Sequence, residues 1–258
     1  MAKNLGHDSC SCSISFKGGV NMSTLNVIRK VAGLAAITLF ATTAPALPVN
    51  LVSNGDFEAG NSGFTSGYSY SGSNTTEGQY TVRSNPYPWN GFFISSGDHT
   101  SGQGLMMVAN GAPTAGQLVW SSNSIAVASG TNYFFEAFVN NVCCASPFPG
   151  NTPSILEFSL SLNGGAAITL GTKTTNLGLA GTWEGLSTQF FSAGGGSVVL
   201  SLINQNTIAA GNDFAIDDVF FGTESIVEPT PTNVPEPMTL SLLALGLSGI
   251  GLLRRKQA

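Results

Sequence analysis

Through the middle of the chain, apolar and polar residues alternate one by one. In "SILEFSLSL" (154–162), Leu156, Phe158, Leu160 and Leu162 fall on one side and Glu157, Ser159 and Ser161 on the other, the two-residue period of a half-buried β-strand. Similar short runs are "GLMMVANG", "QLVWSSNSIAV", "TNYFFEAFVN", "TWEGLSTQFFS", "SVVLSLIN" and "DFAIDDVFFG", separated by Gly, Asn, Ser and Pro clusters that read as turns. No stretch outside the two ends has a helical period. Seven or more strands between Leu47 and Gly222 predict an all-β, two-sheet sandwich.

Composition agrees with this pattern. Of 258 residues, 42% are apolar and 9% charged, with 32 glycines and 16 phenylalanines, which suits tight turns around an aromatic core rather than disorder. The ends read differently. Met22 opens a second start, followed by Arg29, Lys30, an apolar run from Val31 to Phe40 and Ala44-Pro45-Ala46, the layout of a secretory signal peptide. Residues 1–46 are therefore expected to be a signal region, with Met22 as a possible true start. His7, Cys10 and Cys12 then carry no mature function.

Charge narrows the function classes. Between Leu47 and Pro237 the cations are Arg83 and Lys173, against thirteen acids, a balance of −11. Such a surface repels phosphate backbones and excludes nucleic acid as a partner. It suits divalent cations.

Beyond a Pro/Thr-rich linker at 223–233, the sixteen residues Met238 to Leu253 are apolar and would span about 24 Å as a helix. Arg254, Arg255 and Lys256 follow and would hold that end on the cytoplasmic side of the inner membrane. Pro235-Glu236-Pro237, the short apolar span and the closing Arg254-Arg255 together resemble a PEP-CTERM sorting signal over 234–258. The resemblance implies processing by an exosortase, a transient inner-membrane intermediate, and release to the cell surface or matrix of a Gram-negative bacterium.

Within 47–222, "NLVSNGDFEAGNSGF" (50–64) and "NDFAIDDVFFG" (212–222) resemble the first and last strands of galactose-binding-like jelly rolls, a fold shared by many carbohydrate-binding modules. "SSGDHTSGQGLMMVANG", "GTNYFFEAFVNN" and "GTWEGLSTQFFSAGGGSVVLSLIN" resemble the second, central and paired penultimate strands. The resemblance implies a structural calcium between the ends of the domain, held by Glu58, the Asp56 carbonyl and Asp217, with a contribution from the loop carrying Asp98, Thr100, Ser101 and Gly104. Oxygen-only ligands suit calcium, and solvated strand-end acids are the alternative. Because adjacent strand residues point to opposite faces, Asp217 is preferred over Asp218, and Asp213 ranks below both.

Catalytic chemistry finds little support. His99 is the one histidine of the exported part, no Gly-x-Ser-x-Gly elbow is present, and His99, Cys143 and Cys144 lack zinc spacing. "GGG" at 194–196 lies between two strand patterns and reads as a hairpin turn. The pair Cys143-Cys144, in the loop "NNVCCASPFPGNTP", is a possible disulfide in a segment that either shapes a ligand pocket or closes a structural hairpin. Sugar-stacking aromatics are expected at Tyr87 and Trp89, left on a loop by Pro86 and Pro88, and at Tyr68 and Tyr70, whereas Trp183 is assigned to the core. The reading reached is a non-enzymatic exported protein that binds or organises extracellular polysaccharide. A purely structural surface protein and a glycan-active enzyme are the alternatives.

Overall fold

Alternation in sequence becomes two stacked sheets in space. The structure, a computed structural model, describes residues 47–144 and 150–227. The signal region 1–46, the linker from 228 onward and the sorting residues Pro235, Glu236, Pro237, Arg254 and Arg255 lie outside the described residues. Among the described residues no helix is long and apolar enough to cross a membrane.

Twelve strands form: β1 (Phe64–Thr65), β2 (Ser69–Tyr70), β3 (Gln79–Arg83), β4 (Met106–Asn110), β5 (Gln117–Ser122), β6 (Ile125–Val127), β7 (Thr131–Asn141), β8 (Ile155–Leu162), β9 (Ala167–Thr174), β10 (Glu184–Ser192), β11 (Gly196–Asn204) and β12 (Phe214–Gly222). The only helix among the described residues is a 3-10 turn at Leu177–Leu179. One sheet runs β1-β5-β11-β8-β9, with β6 also on β11, and the other runs β10-β7-β12-β4-β3-β2. The fold is thus all-β with two sheets.

Between the sheets, Phe135, Val139, Leu156, Phe158, Leu160, Leu200, Leu202, Phe214 and Ile216 are all at or near zero exposure. Each such side chain stabilises the fold by roughly 1.5–3 kcal/mol relative to exposure. β4 is buried on both faces: Met107 and Ala109 join this core, while Met106 and Val108 face outward into a second cluster with Trp89, Phe93, Val142, Cys143 and Ala215. That explains why "LMMVA" is continuously apolar rather than alternating.

Three sequence expectations are corrected. The segment 50–60 is not a first strand. It turns repeatedly, because Asn54 and Phe57 take φ of 53° and 55°, which extended backbone cannot accommodate. It still lies along β12, through Leu51 N–H to Phe221 O (2.8 Å) and Val219 N–H to Gly55 O (2.8 Å). Gly55 is needed for this approach, since a Cβ there would meet Val219 O at 2.0 Å. Second, the glycines at 194–196 make no hairpin. β10 pairs with β7 and β11 with β8, β5 and β6, so the turn carries the chain from one sheet to the other. Third, Trp183 is half-buried at the rim of the second cluster and outside the main core, its indole N–H donating to Gly97 O at 3.2 Å.

Candidate functional site

The loop 97–105 gathers three of the four acids expected to hold calcium. Asp98, inside the turn, accepts from Ser101 N–H (2.7 Å), Gly104 N–H (2.6 Å) and Ser101 Oγ (3.2 Å). Burial raises its pKa, but these donors outweigh burial and hold it below the usual carboxylate range. Glu58 accepts from Leu105 N–H at 2.6 Å. Both carboxylates converge over Gly104, where a Cβ would lie 2.0 Å from Glu58 Oε1 and 3.1 Å from Asp98 Oδ2.

Asp217, fully buried, grips the same loop from the other side by accepting from His99 N–H at 2.8 Å. Burial first, and then neighbouring Asp218, push its pKa up to about 7. Asp56, expected to contribute its backbone carbonyl, has an exposed carboxylate 3.4 Å from Glu58 N–H. Among the described residues no three carboxylate, imidazole or thiol groups form a metal-holding cluster.

The premise that Asp217 and Asp218 point to opposite faces does not hold, because both engage the loop. Asp218 Oδ2 lies 2.6 Å from His99 Nδ1, and Thr100 Oγ1 donates to Asp218 Oδ1 at 2.8 Å. A register shift between Asp217 and Phe220, with φ of 45° at Asp218, breaks the alternation that would have pointed the two acids apart. His99 stacks on Phe138 with ring centroids 3.5 Å apart.

The four aromatics divide. Tyr87 and Tyr70 are about half exposed, at 52% and 53%. Trp89 is buried instead, donating its indole N–H to Ser71 O at 3.0 Å and stacking obliquely on Phe93. The prolines around it do break the strand, but the resulting loop folds back over the outward face of β4 and takes Trp89 as its anchor. Tyr68 is buried too. Its hydroxyl oxygen accepts from Ala112 N–H at 2.9 Å, and burial pushes its pKa up to about 12.

The same folded-back loop forms one wall of a cleft of about 580 Å³. Asn90, Phe92 and Phe93 form that wall. Cys143 and Cys144, joined in a vicinal disulfide, form another. Asn151 and Ala209 to Gly211 close a third side, and Asn110, Glu77 and Asp213 complete the lining. Among the described residues Phe92 is the most open aromatic at 76% exposure. Asn74 Oδ1 accepts from both Asn90 Nδ2 and Asn110 Nδ2 at 2.9 Å, which fixes the orientation of both amides.

Asp213 sits just before β12 and accepts from Gly111 N–H at 3.1 Å. Burial, and secondarily the charge of Glu77, push it up to about 7. Glu77 is itself raised by desolvation. Of these lining residues only the cysteine loop was read in sequence as shaping a pocket, and Asp213 was weighed there only as a calcium ligand. The run "NGFF" immediately after Trp89 and the cysteine loop were the available signals.

No family model matches the sequence, and no curated protein matches it. Solved structures do resemble it. The enzymatically active domain of Bacteriophage CBA120 tailspike protein 4 is 17% identical over 67% of this chain and 21% of its own length, with a TM-score of 0.43. A Stig cyclase, Fisc from Fischerella sp. TAU, is 14% identical over 68% of this chain and 97% of its own, TM-score 0.47. A family 16 carbohydrate-binding module is 15% identical over 67% and 99%, TM-score 0.36. Carbohydrate-binding modules of families 22 and 4 are also similar in structure. With these TM-scores below 0.5, function has to be read from the residues of this chain.

Proposed function

We propose that this chain is an exported, non-enzymatic protein whose galactose-binding-like jelly roll binds extracellular polysaccharide in the cleft beside Cys143-Cys144. The observation that carries the reading is the cleft: an exposed phenylalanine ring beside fixed amides and carboxyls is the mixture that reads a sugar, with an apolar face for the ring and directional groups for its hydroxyls. The resemblances to a signal peptide and a sorting signal support delivery to the cell surface or matrix through an exosortase.

Calcium belongs to the same proposal, away from the cleft. Glu58 and Asp98 present carboxylate oxygens over Gly104 with no lysine or arginine of the described residues paired to them, and oxygen-only donors at a tight loop fit a hard cation. These two residues would hold the ion, with carbonyls completing the shell. The ion would supply structural rigidity to the loop.

The test is retention of the full chain on the producing cell's own extracellular polysaccharide, with calcium and with chelator, for the native protein and for Phe92→Ala. Retention reduced about tenfold or more by the substitution supports the cleft. Equal retention of both forms removes the cleft from the reading, and no retention of either sinks polysaccharide binding and leaves a structural surface protein. A second reading, a glycan-active enzyme, is kept alive by Asp213 and Glu77 facing one cleft. Release of new reducing ends during the same incubation would favour it.

A further inference from the structure

The polar groups of the cleft are strongly one-sided. Asp213 is 6% exposed, and only one of its oxygens takes a hydrogen bond from the described residues, the Gly111 N–H; the other is left to the cleft. Asn110 is 7% exposed, and its amide nitrogen is committed to Asn74, which leaves its Oδ1 as an unpartnered acceptor lining the same space. Glu77, on the turn before β3, adds a second carboxyl that takes no hydrogen bond from the described residues. Among the described residues no lysine or arginine lines the cleft, and their two such cations, Arg83 and Lys173, lie elsewhere.

Glu77 is exposed at the cleft's mouth and contributes charge, whereas Asp213 and Asn110 are buried acceptors that are unfavourable until a ligand supplies hydrogens. A hydroxyl supplies one. A primary ammonium supplies three, together with the charge that two carboxyls lack. A uronate would meet only repulsion here.

Resting on the polysaccharide reading above, we propose that the cleft recognises a sugar bearing a free, protonated amino group, with the nitrogen placed among Asp213, Asn110 and Glu77 and the pyranose face against Phe92. Acylating that nitrogen removes two of its hydrogens and its charge, so the amino sugar is distinguished from its N-acetyl form. Asp213 faces Glu77 from the β3 side and Tyr68 from the segment before β2, and each carboxyl offers the ammonium a full opposite charge only when ionised. Binding therefore strengthens as pH rises toward and through about 7 and fades once the sugar amine loses its proton.

The experiment is calorimetric titration of the full chain at pH 7 with a β-1,4-linked glucosamine hexasaccharide, its fully N-acetylated counterpart and a lysine hexapeptide, repeated for Asp213→Asn. A preference of about tenfold or more for the free amine over the acetylated sugar, abolished by Asp213→Asn with residual sugar binding intact and the melting temperature not lowered, is the expected result. Equal binding of both sugars, or a preference that survives Asp213→Asn, overturns amine recognition and leaves polysaccharide binding standing. Lysine peptide bound as tightly as the amino sugar overturns the sugar half of the proposal. If neither hexasaccharide binds while polysaccharide is still retained in the pull-down, amine recognition falls alone; if retention fails as well, the reading beneath it falls too.

Discussion

Single residues in this protein are set by where their polar atoms are forced to go. Asp213 is held among apolar neighbours and beside Glu77, so its folded-state pKa stands near 7 against an ordinary value of 3.8. A carboxyl with a raised pKa contributes stability that is fully present below the unfolded value and is lost as pH rises through the folded one. Stability measured by urea denaturation should therefore fall between pH 4 and pH 7, by about 4 kcal/mol at most from this group. Asp213→Asn should flatten that slope, and an unchanged slope would show that Asp213 is not the group responsible. Gly104 is less tightly constrained. Gly104→Ala places a methyl against the flexible end of the exposed Glu58, which can swing away, so a loss of no more than about 1 kcal/mol is expected in the same assay, with Glu58 displaced from Leu105 N–H.

Strands and loops show which parts of the architecture were legible. The period-two pattern gave β11 and much of β8 because each buries one face of alternating residues, whereas β12 and the second half of β7 are buried on both faces and were legible as short runs rich in apolar residues. Sheet membership was not legible, since β10 and β11 look like a hairpin in sequence and separate in space. Nor was the kink in β12. Nothing in "AIDDVFF" announces a positive φ at Asp218, so strict alternation gave the wrong relation between two neighbouring acids.

Trp89 was misplaced for a related reason: prolines mark where a strand ends but not whether the loop afterwards folds onto a sheet face. Its indole now anchors the loop over Met106, Val108 and Ala215. Trp89→Ala should cost about 3–5 kcal/mol on thermal unfolding. Tyr87→Ala, at an exposed position, should change stability by less than about 0.5 kcal/mol, and equal losses would contradict the burial assigned here.

At the scale of the whole molecule, one acid ties the end of the described chain to the sandwich. Glu136, fully buried on the outer face of β7, accepts from Ser187 Oγ and Ser225 Oγ at 2.6 Å and from Ile226 N–H at 2.7 Å. Glu136→Ala would remove this shared acceptor, and limited proteolysis should then cut near 225–227 several-fold faster than in the native protein. Calcium acts at the same scale if it braces the loop 97–105: chelation should lower the melting temperature of the native protein and do little to Glu58→Gln. A drop of equal size in both would place the ion elsewhere.

The clamp also acts as a mechanical fixture. Glu136 is the register partner of Phe220, six residues along β12 from Phe214, which adjoins Asp213 in the cleft. At 3.3 Å per residue the strand separates the two by about 20 Å. Tension applied to the chain beyond residue 227 would thus load the hydrogen bonds of one carboxylate before it reached β12. A domain tethered by that end would trail from one end of the strand and hold its cleft at the other, open to whatever lies beyond.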